Sequence, residues 1–307
     1  MTWTAELPLV GAGGEPVDLW RTISSHGVAD LPPNRIDEDA RTLEVTLRVP
    51  HGRPRTVGVA QGRTGKATVT VLGPPPSKKL ADALLDRVGH VLRLDEDLSD
   101  FYERVRKDPD LSWAAAGAGR LLRSGTVFED VVKTIATTNC AWSATVRMVG
   151  AFVEHLGEPA LGAADEGPYG RAFPTPAAMA EASDDFYKDV VRAGYRSAYF
   201  RALADSVASG GLDLEELGET PPKELSDEEV AERLLALPGV GPYAAAHIMM
   251  LLGRYSPLIL DSWTRPKYAR VNGRKTSDAG IERRFRRYGP YAGLAFWLYL
   301  TRDWVDD

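Results

Sequence analysis

Leu237-Pro238-Gly239-Val240-Gly241-Pro242-Tyr243-Ala244-Ala245-Ala246 is an apolar run that breaks on proline and glycine and reopens on small residues. It reads as two helices joined by a very tight turn, a helix-hairpin-helix. The first helix is expected over Asp227 to Ala236, with an acidic start and an apolar face at Val230, Leu234 and Leu237, and Pro238 stops it. Gly239 and Gly241 are expected to take positive φ and to leave the backbone N–H groups uncovered. The second helix begins near Pro242, and the N-terminal end of a helix attracts anions such as a nucleic-acid phosphate. The same pattern also fits a plain αα-hairpin whose glycines only allow close packing.

The second helix runs through Ala246, Ile248, Met249, Leu251 and Leu252 to Gly253, and the apolar segment Pro257-Leu258-Ile259-Leu260 then delivers Asp261. An Asp followed by Ser262-Trp263-Thr264-Arg265 is a candidate N-cap for a short helix. It is equally a candidate catalyst, because a carboxylate kept ionised by a helix dipole beside apolar walls stabilises a cation formed in a reaction.

With the hairpin and an Asp twenty residues past its turn, the chain resembles the helix-hairpin-helix DNA glycosylases. The resemblance runs from about Asp100 to the end. It takes in Thr134 to Asn139, Phe173-Pro174-Thr175-Pro176, Gly194 to Phe200 and Tyr291 to Trp297. It is closest to the alkylation-repair (3-methyladenine DNA glycosylase II) and 8-oxoguanine glycosylase-like branch. The resemblance implies base excision from double-stranded DNA containing a damaged base, with Asp261 as the catalytic residue. Gly239, Gly241, Trp263, Thr264 and Lys267 are the implied DNA-backbone contacts, and Asn139 the wedge that fills the space of an extruded base. Asn139 or Ser143 is alternatively the N-cap of the helix that follows.

Holding an electron-poor, often cationic base calls for aromatic faces. Tyr243, His247 one turn later, Tyr288 and Trp142 are the candidates, while Phe296, Trp297 and Trp304 read as core. Lyase-active relatives carry a nucleophilic Lys where this chain has Tyr243, so a monofunctional hydrolase is expected, probably too narrow a site for no lesion but an alkylated one being excluded by nothing in the sequence: an oxidised-guanine glycosylase of the same fold and a non-catalytic lesion-binding protein are the alternatives.

Nothing in the composition opposes this. Cys140 is the only cysteine, which excludes an internal disulfide and a four-cysteine iron–sulfur cluster. His26, His51, His90, His155 and His247 show no ligand spacing, so no metal is expected. No cofactor is expected beyond the monovalent cation that the resemblance allows at the hairpin carbonyls. The start Met1-Thr2-Trp3-Thr4 lacks the features of a signal peptide and no long apolar run is present, so a cytoplasmic monomer with no membrane contact is expected. The net charge of −6 runs against DNA binding, but Arg265, Lys267, Arg270, Arg274, Lys275, Arg283, Arg284, Arg286 and Arg287 form a basic run after Asp261.

The fold class expected is α+β. Alternating runs such as Thr42 to Val49 and Ala67 to Val71 give an N-terminal antiparallel sheet, and Ser77 to Leu92 a helix packed on it, within a domain of residues 1–98. A larger helical domain, 99–307, follows. Its helices are expected over Phe128–Ala136, Ser143–Leu156, Pro176–Ala182, Asp184–Ala193, Ser197–Ser209, Asp227–Ala236, Tyr243–Leu252 and Tyr291–Arg302, with loops at Gly162–Pro174 and Gly218–Pro222.

Overall fold

Five strands alternate inward apolar and outward polar residues and pair into one antiparallel sheet: β1 (Trp3–Pro8), β2 (Arg35–Asp37), β3 (Thr42–Leu47), β4 (Arg55–Gln61) and β5 (Lys66–Val71). Their order is β1-β5-β4-β3-β2. The register sets Val57 opposite both Val45 and Val71, and Val59 opposite both Leu43 and Val69, so branched side chains meet across the strands. The helix Lys78–Val91, capped by Ser77, lays Leu84, Val88 and Val91 into the same apolar cluster. The computed structural model describes residues 3–50, 52–164 and 166–305. Met1, Thr2 and His51 lie outside the described residues.

The rest is helical, and the architecture is α+β. One helix, Pro242–Leu251, organises it. Residues 244–251 are all buried: Ala244, Ala245, Ile248 and Met249 face one helical core, and Ala246, Met250 and Leu251 face a second. A helix apolar all round is a buried one. The second core is closed by Ala292–Thr301, which is also buried throughout. Val28 and Leu31 join the first helical core, and Leu122 joins the sheet core.

Several expectations need correction. Asp184–Ala193 is not a regular helix but a π-turn at Phe186–Val190, after which Arg192 and Gly194 both take positive φ and reverse the chain. A short helix, Glu215–Glu219, runs into the expected loop at Gly218, and the Glu215 carboxylate accepts from the amides of Val127 and Phe128 at the start of Val127–Thr137. The helix Trp142–Leu156 is capped by Ala141, not by Asn139 or Ser143. Ser99–Val105 and Asp278–Phe285 are helices the pattern did not single out, because much of their surface is charged. No helix among the described residues is long and apolar enough to cross a membrane.

Candidate functional site

The helix Asp227–Leu235 opens with a capping box between Ser226 and Glu229 and runs one residue short of the expected end. In the turn that follows, the Val240 amide donates to Leu237 O, and Gly239 has φ +80°. A Cβ on Gly239 would stand 2.6 Å from Tyr199 Cδ2, so glycine is required there twice over. Gly241 differs from expectation. It is extended, with φ −99°, and serves as N-cap for Pro242–Leu251, with Pro242 in the first turn. No acceptor among the described residues takes the amides of Gly241, Tyr243 or Ala244. These N–H groups stand at a helix N-terminus and are suited to an anion.

Asp261 begins the helical turn that leads into Thr264–Asn272. Its backbone carbonyl accepts from the Arg265 amide at 3.3 Å, and its Oδ1 accepts from the Trp263 and Thr264 amides at 2.9 and 2.6 Å. Thr264 answers by accepting from the Asp261 amide at 2.8 Å through its hydroxyl. The cap fixes the carboxylate through one oxygen and leaves Oδ2 without a protein donor among the described residues.

Two adjoining cavities share Asp261, Tyr243, Thr137 and Cys140. The first, about 550 Å³, runs along the turn past Gly239, Gly241, Asn139, Tyr195 and Tyr199. Asn139 is exposed, with φ +47°, and its amide reaches the Tyr195 hydroxyl at 3.5 Å; Tyr195 itself is 55 % exposed. The second, about 530 Å³, is walled by Trp142, Trp263, Trp297, Trp304 and His247. Trp263, Trp297 and Trp304 pack with centroids 5.6 to 5.8 Å apart. Burial pushes the Tyr243 hydroxyl above its ordinary pKa; a 3.4 Å hydrogen bond with Thr137 opposes this and the charge of Asp261 adds to it. Burial holds His247 neutral, down to about 4, against the pull of Asp261.

No family model matches the chain, and no curated protein matches it. Solved structures match it over almost its whole length. A 3-methyladenine DNA-glycosylase from Archaeoglobus fulgidus aligns with a TM-score of 0.71 and 20% identity, covering 99% of this chain and 100% of that one. The 8-oxoguanine glycosylase/lyase of Clostridium acetobutylicum in its apo-form gives 0.69 and 20%, covering 98% of each chain. MBOgg1 in complex with a low-affinity DNA ligand gives 0.69 and 19%, covering 98% of this chain and 96% of that one. The chain has the fold of these proteins. At such identities the likeness is one of fold.

The structure brings together Asp261, Tyr243, His247, Trp142, Asn139, Gly239 and Gly241 around the two cavities. It does not bring Tyr288 there. That ring is buried, stacked on Phe285, with its hydroxyl donating to Asp108 at 2.8 Å. Thr264 is fully buried and bonded to Asp261, so its side chain does not present itself to a phosphate. Trp263 walls the aromatic cavity. Lys267 is ion-paired with Asp303 at 2.7 Å. Of the basic run, Arg265, Arg284 and Arg287 are likewise paired, with Asp278, Asp110 and Asp108, which leaves Arg270, Arg274, Lys275, Arg283 and Arg286 outside the ion pairs among the described residues. Trp297 and Trp304, read as core, are cavity walls. Their spacing of seven residues, one face of a helix, was the available signal. Among the described residues, no group of His, Cys, Asp and Glu is placed to hold a metal ion.

Proposed function

We propose that this protein is a monofunctional helix-hairpin-helix DNA glycosylase that hydrolyses the N-glycosidic bond of an alkylated base in double-stranded DNA. The observation that carries the reading is the position of Asp261, whose uncapped oxygen belongs both to the groove beside the free turn amides and to the tryptophan-walled cavity. The amides hold a backbone phosphate, Asn139 enters the space the base leaves, and the base passes into the aromatic cavity. Stacking on aromatic rings contributes about 1–3 kcal/mol per base, and a cationic base gains further from cation–π attraction.

As the bond stretches, its electron pair leaves with the base, and a cationic alkylated base departs neutral. The sugar gains oxocarbenium character, which Asp261 stabilises, and water then forms the new bond at the anomeric carbon. No lysine lines either cavity among the described residues, which supports hydrolysis without an amine nucleophile. A second reading, excision of oxidised guanine, draws on the equally good fold match to the 8-oxoguanine glycosylase/lyase. Duplexes bearing one lesion each, assayed separately for free base and for strand breaks, decide between them. The expected product is an intact strand with an abasic site and no adduct trapped by borohydride. Efficient trapping overturns the monofunctional reading, and no base release from any lesion overturns the enzyme reading.

A further inference from the structure

His26 and His247 are far apart in sequence but their rings meet edge-on, centroids 6.0 Å apart at 84°. Both are buried. Each has one buried nitrogen with no partner: Nδ1 of His26 and Nε2 of His247. Unsatisfied polar atoms are rare in a protein interior, and two on touching rings call for an explanation. The other nitrogen of His26, Nε2, lies 2.6 Å from Leu122 O, a carbonyl that only accepts, so this nitrogen carries the proton. In a neutral ring Nδ1 of His26 is then an acceptor. Burial keeps both rings neutral, with the neighbouring His247 a further influence on His26.

We propose that His26 fixes the tautomer of His247, taking a hydrogen bond from its Nε2–H, so that Nδ1 of His247 presents a hydrogen-bond acceptor to the aromatic cavity and selects a base whose edge carries an exocyclic amino group. This rests on the reading of the cavity given above. The tryptophans hold the faces of a base and are indifferent to its edge, whereas a single oriented acceptor distinguishes an amino group from a carbonyl. His26 does not line the cavity, so it is a positioning residue that acts through His247.

The test begins with the free protein labelled with ¹⁵N-histidine. Long-range ¹H–¹⁵N spectra are expected to show both histidines as the Nε2–H tautomer, and a protonated Nδ1 on His247 overturns the proposal. The second arm measures affinity for duplexes containing a methylated adenine or the matching methylated hypoxanthine, with a tetrahydrofuran abasic duplex as control. His26→Phe is expected to reduce the amino-over-carbonyl preference about tenfold, the worth of one hydrogen bond, with abasic binding within about twofold of the parent protein. His26→Gln supplies both a donor and an acceptor and is expected to restore the preference. An unchanged preference in His26→Phe overturns the proposal. If the parent protein prefers no damaged duplex, the glycosylase reading fails, while the tautomer result stands by itself.

Discussion

One methyl group added at Gly239 and one added at Gly241 should have different consequences, although the two positions are two residues apart. At Gly239, φ +80° forces an L-residue into the left-handed region, at a cost of about 1–2 kcal/mol. The new Cβ would also stand 2.6 Å from Tyr199 Cδ2 and 3.0 Å from Cγ, atoms near the root of the ring that do not swing aside, for about 1–3 kcal/mol more. Gly239→Ala should therefore lose about 2–4 kcal/mol, read as a lower urea midpoint at unchanged slope. At Gly241 the backbone is extended and a Cβ meets nothing within 4 Å. The gain from restricting the unfolded chain and the loss of a glycine N-cap nearly cancel there, so Gly241→Ala should keep its stability within about 0.5 kcal/mol. Its methyl group nevertheless stands beside the free amides, and affinity for undamaged and damaged duplexes, measured by anisotropy at one fixed salt concentration, should fall several-fold and equally. Equal stability loss in both variants would refute the strain argument, and parent-like duplex affinity in Gly241→Ala would refute the phosphate site.

Asp261→Asn should still cap its helix, losing about 1 kcal/mol or less, and should bind a lesion duplex within about tenfold while base release in single-turnover assays falls at least ~100-fold; unchanged release removes Asp261 from the chemistry. Lys267→Ala should leave duplex affinity within about twofold, because the ammonium is engaged by Asp303, and a tenfold loss in a binding titration contradicts that. Burial holds His247 near 4 and His26 near 3, both below the ordinary 6.5, so unfolding takes up protons and stability falls as pH drops from 6.5 towards 4. Asp130, pushed up to about 6 by burial, offsets one of the two below pH 6. The net loss is about 1.4 kcal/mol per pH unit between pH 6 and 4, and urea unfolding at pH 7, 6 and 5 should show it; stability that rises towards pH 5 is incompatible with it.

The sheet and the hairpin were legible in the sequence because their signals are local. Period-two alternation in β3 and β5 and the proline and glycine punctuation at 238–242 do not depend on what packs against them. Asp261 was legible for the same reason, its cap needing only the next three residues. What escaped depends on tertiary partners. Tyr288 and Trp297 are both aromatics near the last helix, yet Asp108 draws one into the core and the packing of Trp263 and Trp304 leaves the other on a cavity wall. The basic run looked free because the acids that pair it, Asp108, Asp110 and Asp303, are brought to it by the fold, while only Asp278 lies within the run itself.

Four of the seven tryptophans stand around a single cavity. The emission of the whole protein is therefore weighted towards that one place. Indoles whose edges meet one another share excitation, and an electron-poor ring laid against any of them drains it. The cavity is thus also an optical reporter of its own occupancy, and entry of a base can be followed in real time in the unlabelled protein, separately from the breaking of any bond.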